Sequence, residues 1–328
     1  MSAFFSSDAS APVLASAPGS LIQVLDACLV TGYGSRTALG WSKVFSGTNK
    51  AVYRAATGNR FYLRVDDSDN DVARVIGYEQ MSDVDTGIDP FPLNSQVAGG
   101  LYLRKTNGVT GGWAVFWNAT SFYFLPEVAD VNWVVFNTNS AGGQFFFGQF
   151  NSFRQGDAYA TMIIGSINNT LGYGNFGNFN ASRSRISGHY VARSSIGNTK
   201  SIWVGKTSSR GSVNVDGGSN TRNICGDYSD YGINYPDTVT GKLTFGKMVI
   251  YEYSVDSRSS STNILLRGEL PGIWVPLQQG YLHGDTFNGA AGNILSGKSF
   301  ITAKVYGRNV DNTQTRAGTA AFETSDTW

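Results

Sequence analysis

The sequence predicts an all-β protein of two antiparallel sandwich- or barrel-like modules, with one short N-terminal helix and extended arms at both ends. Three observations carry that expectation. Glycine supplies 40 of the 328 residues and aromatic side chains 13% of them, whereas glycine usually accounts for about 7% of a chain. Charged residues reach only 15%, against about 25% in an ordinary soluble domain, so the side chains that support helices in water are scarce. Short β-branched and aromatic runs recur along the chain between clusters of Gly, Asn and Asp, the pattern of strands and turns.

Residues 1–19 set Phe4 and Phe5 in a Ser/Ala/Pro mixture and read as a flexible arm. They lack the basic start and apolar core of a signal peptide, so synthesis in the cytoplasm is expected. Ser20-Leu-Ile-Gln23 has the spacing of a capping box, with Ser20 as the N-cap and Gln23 reaching back. Leu21, Val24, Leu25, Cys28 and Leu29 follow at helical spacing, with Gly32 or Gly34 as the stop. The apolar face of this helix must cover an edge or end of a sheet. Cys28 reads as a small buried hydrophobe. With Cys225 as the only other cysteine, neither a disulfide framework nor a zinc site is expected.

Strand signals dominate after Trp41. Phe61–Val65 and Val72–Tyr78 flank an Asp-rich turn; Gly100–Lys105 and Trp113–Trp117 flank a loop carrying Asn107-Gly108, a hairpin signal. Ser121–Leu125, Trp133–Asn137 and Gln144–Phe150 continue the pattern, and alternation predicts antiparallel sheets with one buried face. A boundary is expected near residues 150–165, separating a helix-plus-β domain (20–155) from a second β domain (156–306). The second domain holds a Gly/Asn/aromatic loop at 167–184, then strands at His189–Arg193, Ser201–Lys206, Lys242–Tyr253, Ile264–Leu270 and Ser299–Tyr306. Residues 307–328 turn polar and read as a C-terminal arm. No long internal period suggests a propeller or solenoid, and no apolar stretch suggests a membrane-spanning helix.

Literal motif matches carry little chemistry here. Gly292 to Ser299 satisfies the phosphate-loop pattern, but strand formers, Phe300–Tyr306, follow where a helix is needed. Gly172-Tyr-Gly174-Asn-Phe-Gly177 matches the dinucleotide pattern, without a following helix or an acid about twenty positions on. No cofactor is expected. Asp66-Asp67-Ser-Asp69-Asn-Asp71 makes Asp67, Asp69 and Asp71 the metal candidates, as a loose calcium site. An EF-hand is excluded because Val72 and Tyr78 stand where it needs Gly and Glu, and a solvated hairpin turn is the simpler reading. His189 and His283 are the only histidines, and nothing places them together. No Gly-x-Ser-x-Gly elbow occurs, no catalytic residue is assigned, and the chain is expected not to be an enzyme.

Charge is unevenly spread. Arg60–Pro90 holds eight acidic and three basic residues, and Ala181–Arg222 holds seven Lys or Arg and one Asp. These are either two solvated faces or complementary patches that meet head to tail between copies. On the second reading Arg183, Arg185 and Arg193 are interface residues. Tyr173, Phe176 and Phe179 are either stacking platforms for a protein or sugar, or packing within an Ω-loop. A net charge of +1 argues against a chain-wide nucleic-acid binder.

Ser20–Gly34, Gly40–Phe45, Asn49–Arg54, Phe61–Asp67 and Gly77–Asp83 resemble the opening of a family of tailed-bacteriophage virion structural proteins. Phe147–Ser152 with Gly156-Asp157, then Leu270–Trp274, Gly284–Phe287 and Gly297–Phe300, extend the similarity to about residue 305. The resemblance implies an exposed, non-catalytic component of the head–tail or tail assembly. It implies a homo-oligomer located in the virion, whose partners are copies of itself and other virion proteins. It also makes Gly297-Lys298-Ser299 family texture and not a phosphate loop. A capsid decoration protein and a host-glycan-binding module are the alternatives. Uncharged polar loops are cheap to desolvate, and aromatic side chains give contact area at small entropic cost, which suits subunit docking.

Overall fold

The computed structural model describes residues 3–127, 144–167, 187–207, 212–214, 221–223, 245–253, 264–276, 283–292, 294–304 and 319–325. The protein is all-β, and among these residues it has one helical segment. The chain opens with β1 (Ala3–Phe5), then α1 (Ser20–Leu25), which runs on as a π-helical stretch over Asp26–Thr31. A meander follows: β2 (Ser42–Gly47), β3 (Lys50–Arg54), β4 (Tyr62–Asp66) and β5 (Val72–Met81), with β6 (Gly87–Phe91) folded back on β5. Next come β7 (Leu101–Arg104), β8 (Gly112–Trp117), β9 (Ser121–Glu127), β10 (Phe145–Gln149), β11 (Asn151–Ser152), β12 (Thr161–Ser166), β13 (Ser187–Arg193) and β14 (Lys200–Trp203). The remainder is β15 (Gly205–Thr207), β16 (Ser212–Asn214), β17 (Thr221–Asn223), β18 (Phe245–Tyr253), β19 (Ile264–Pro276), β20 (Thr286–Asn288), β21 (Ser299–Lys304) and β22 (Thr319–Glu323).

Thirteen strands form one antiparallel sheet, ordered β1-β8-β9-β10-β12-β7-β5-β4-β3-β2, with β13 and β14 continuing from β12 and β6 on β5. It curls: Tyr53 near one end of this order and Trp113 near the other share one core, which also takes Leu21, Val24 and Leu25 of α1. The helix therefore fills the hollow of the curl. A second sheet runs β15-β18-β19-β22-β21-β20, joined by β11 on β19.

The sheets share a core because the middle strands of the first are apolar on both faces. On β8, Trp113 and Val115 point into the curl, while Ala114 and Phe116 point to the second sheet. Phe122 and Phe124 against Tyr123 and Leu125 repeat the division on β9, and Phe145 and Phe147 against Phe146 on β10. Across the gap Phe322 of β22 stacks on Phe116 with centroids 4.7 Å apart, and the Tyr123 hydroxyl donates to the Pro271 carbonyl at 2.7 Å. The expectation of one buried face thus holds for β4 and β7, which alternate, and fails for β8, β9, β10 and β12.

Four further expectations are corrected. Residues 3–5 are no loose arm: β1 pairs with β8, Ala3 and Phe4 are buried, and Phe4 stacks on Trp117 at 5.6 Å. At the other end, Thr319–Glu323 returns as a strand between β19 and β21, with Ala320–Glu323 buried. The boundary drawn near 150–165 cuts through continuous pairing, since β12 bonds to β10 and to β13 in the same sheet. The Asn107-Gly108 loop closes no hairpin: β7 pairs with β5 and β12, and β8 with β9 and β1. The reason is that the loop is held from elsewhere, with Gly108 N–H donating to Asp71 at 2.9 Å.

Helix α1 starts as expected but is capped differently. Its N-cap is Gly19, at φ +81°, a left-handed conformation that glycine adopts without steric cost. The Ser20 hydroxyl donates to the Ala15 carbonyl, and Gln23 is exposed. The capping oxygen comes from Asp67, at the end of β4, which accepts the Leu21 and Ile22 N–H groups at 2.8 and 3.3 Å. Gly32 ends the π-helical stretch.

Candidate functional site

The two sheets are bolted together where β11 leaves the first and pairs with β19, Asn151 opposite Glu269 and Ser152 opposite Gly268. Glycine is required at 268, since a Cβ there would lie 2.3 Å from the Asn151 carbonyl oxygen. Beside it, Arg267 is almost wholly buried, at 1% exposure. Its Nε and Nη2 donate to Asp157 at 3.1 Å each, its Nη1 to Glu252 of β18 at 3.2 Å and to the Arg193 carbonyl at 2.6 Å. Glu252 also accepts the Ser195 N–H at 2.9 Å. One planar guanidinium thus joins the loop after β11, the end of β13 and strand β18, a use for which its five fixed donors suit arginine.

A hollow of about 630 Å³ opens next to this seam, lined among others by Asn59, Thr120, Gln149, Asn151, Gln155 and Asp157. Asp157 lines it without being a free base. Its Oδ2 takes Ser152 Oγ and Arg267 Nε, and its Oδ1 takes the Tyr159 N–H and Arg267 Nη2. The amide groups are less committed: Gln149 Oε1 accepts the Asn59 N–H at 3.2 Å, while Gln149 Nε2 and the Asn151 and Gln155 side chains have no hydrogen-bond partner among the described residues. Around the seam stand four exposed apolar side chains, Phe153 (54%), Ile196 (67%), Leu265 (50%) and Leu266 (47%). Their backbones are tied to the seam. Phe153 N–H donates to the Arg267 carbonyl, Leu265 pairs with Glu252, and Ile196 follows Ser195.

Of the expected interface residues, Arg193 is half-buried and ion-paired within the chain. Its Nε and Nη2 grip Glu79 at 2.6 and 2.9 Å, and Nη2 also reaches Asp89 at 2.7 Å. Lys200 pairs with Asp89 as well. The acidic 60–90 and basic 181–222 segments therefore meet within one chain at these residues. Arg183, Arg185, Tyr173, Phe176 and Phe179 lie outside the described residues, as do Gly172–Gly177 and Cys225.

The calcium candidates are used separately. Asp67 caps α1 and pairs with Lys105 in the interior. Asp69 accepts the Asp71 and Val72 N–H groups, closing the turn. Asp71 accepts Ser16, Thr106 and Gly108. Among the described residues no three His, Cys, Asp or Glu side chains are grouped to hold a metal ion. His189 lies buried on β13, and His283 precedes β20 in the other sheet. Ser299, the last residue of the phosphate-loop pattern, opens strand β21, and Lys298 reaches Glu323 at 2.7 Å. Cys28 is buried, and burial pushes its thiol well above the ordinary range.

Neither Arg267 nor Lys105 is visible as a site in the sequence. Their one signal is a basic residue beside or within an apolar strand, Leu265-Leu-Arg-Gly and Leu101-Tyr-Leu-Arg-Lys105. Among the described residues no helix is long and apolar enough to cross a membrane. Compared with known protein-family models and with curated proteins, the chain matches none.

Proposed function

We propose that the protein is a structural subunit of a tailed-bacteriophage virion, in the head–tail or tail assembly, that works by docking to copies of itself and to other virion proteins. The resemblance of residues 20–305 supplies the kind of protein. The observation that carries docking is the exposure of four large apolar side chains, Phe153, Ile196, Leu265 and Leu266, on segments tied to the charged seam. Large apolar side chains left exposed offer area that a partner can bury. A fixed scaffold beneath them lowers the ordering cost of association. The test is immunogold labelling of purified phage particles with an antibody to the chain. Label at the neck or tail supports the reading, label over the head makes the subunit a decoration protein, and unlabelled, chain-free particles overturn it.

A second reading, a host-glycan-binding module, is favoured by the hollow beside the seam. Uncommitted amides such as Gln149, Asn151 and Gln155 suit paired hydroxyl groups. Saturation-transfer NMR with host-envelope oligosaccharides tests it: signal abolished by Asn151→Ala with Gln155→Ala supports the module, and no transfer to any oligosaccharide removes it.

A further inference from the structure

Lys105 and Asp67 face each other in the interior, each side chain with 0% exposure. As an ion pair the contact is poorly matched. An ammonium group carries three N–H donors, and this one meets two acceptors, Asp67 Oδ1 and the Ala17 carbonyl at 2.7 Å. The third N–H has no acceptor among the described residues, and both charges have lost their water, a cost that a buried pair recovers only when every donor and lone pair is matched. An amide linking the same two side chains is matched completely. It has one N–H, for which the Ala17 carbonyl stands ready, and one carbonyl oxygen. That oxygen, Asp67 Oδ2, already accepts the Leu21 and Ile22 N–H groups at 2.8 and 3.3 Å.

We propose that Lys105 and Asp67 condense to an intramolecular isopeptide bond, closing residues 67–105 into a covalent ring. The balance is internal to the pair. An ammonium proton passes to Oδ1, leaving a neutral amine beside a neutral acid. The amine lone pair forms the Nζ–Cγ bond, and the negative charge that develops on Oδ2 is held by the two backbone N–H groups, as in an oxyanion hole. The Cγ–Oδ1 bond then breaks, and Oδ1 leaves as water with the transferred proton and a second one from Nζ. One N–H remains, and the charges of the starting pair cancel. Fixed contact between the partners supplies the proximity that an intramolecular reaction exploits. Burial also raises the Asp67 carboxyl above its ordinary range, against the pull of Lys105 and the two N–H groups, which brings the neutral acid within reach. The bond would tie the turn after β4 to the end of β7, beneath the segment leading into α1.

The test reads the unaltered chain. Its denatured intact mass is expected about 18 Da below the sequence mass, one water lost, with a protease digest yielding a branched peptide that joins Lys105 to Asp67. Lys105→Arg and Asp67→Ala chains are each expected at the full mass of their own sequence. A native chain at full mass, with Lys105 and Asp67 on separate linear peptides, overturns the proposal. So does the same mass loss without a branch at Lys105, which is the mark of a cyclised aspartate. Failure of either variant to fold leaves the native measurement intact.

Discussion

Arg267 and Asp157 form a two-point ion pair, Nε on Oδ2 and Nη2 on Oδ1 at 3.1 Å each, and it spans the seam between the two sheets. Both groups are buried, and Glu252 stands on the far side of the guanidinium. Such a pair adds little over a well-packed apolar substitute, but removing one partner strands the other charge. Arg267→Met would leave Asp157 and Glu252 facing each other without a cation. It is expected to cost about 3–5 kcal/mol, read as a lower urea midpoint in equilibrium unfolding. Arg267→Lys keeps the charge but cannot reach three segments at once, so an intermediate midpoint is expected.

Arg193 is paired within the chain with Glu79 and Asp89, and that pairing has a distinct signature. Arg193→Glu sets a third carboxylate beside Glu79 and Asp89. Stability is expected to fall by about 1–3 kcal/mol, in the usual range of a disruptive substitution, with part of the loss recovered in high salt. Thermal melts across a salt series read this, with size-exclusion chromatography alongside. A variant with an unchanged melting temperature but an altered oligomeric state would return Arg193 to an intermolecular role.

How far the fold was legible depends on how far each interaction reaches. β4 and β7 alternate between buried and half-buried positions, and period-2 reading finds them. Thr161–Ser166 is buried throughout, has no period, and sits where a boundary is expected, so β12 is invisible locally although it joins three strands. The start of α1 is legible from Ser20 onward, but its capping carboxylate, Asp67, lies 46 residues away from Leu21. Asn107-Gly108 signals a turn, and the turn exists, yet Asp71 decides which strands flank it. Arg267 gives only its oddity in an apolar run, because its partners come from three separate segments. Local chemistry is written in the sequence, and the seam is written only in the pairing of distant strands.

The N-terminal strand contributes to the core. Phe4 is 2% exposed, sits opposite Val115 and contacts both Trp117 and Tyr33. Phe4→Ala removes a buried ring at the end of the curl and is expected to cost about 3 kcal/mol. Limited proteolysis distinguishes a docked strand from a loose arm. The native chain should resist cleavage within its first eighteen residues, and Phe4→Ala should become sensitive there at a lower temperature.

Cys28 should be inert while the protein is folded. The thiolate is the reactive form, and burial together with the Asp8 carboxylate disfavours it. In a Cys225→Ser background, iodoacetamide labelling at pH 8 is expected to follow the unfolding curve in urea, with negligible labelling before the transition. Rapid labelling in buffer alone would show that the helix opens well below global unfolding.

Acid should weaken the fold through Asp71. Partial burial works against its charge, but the Gly108 N–H, the Ser16 and Thr106 hydroxyls and Arg104 outweigh that and hold the carboxyl below its ordinary range. A carboxyl with a lower pKa folded than unfolded binds its proton more tightly in the unfolded chain, so its contribution to stability is complete above the unfolded value, about 3.9. That contribution is lost as the pH falls through the folded value. Asp85, held low by Arg64 and Lys50, acts in the same direction. Asp71 is partly open to water, and solvent screening keeps its share to at most about 1 kcal/mol. Asp71→Asn should therefore lower stability slightly at pH 6, and its unfolding free energy should converge on that of the native chain as the pH falls through the folded value of Asp71. Parallel curves with a constant gap across that range would show that the carboxylate's hydrogen bonds to Ser16, Thr106 and Gly108 do not depend on its charge.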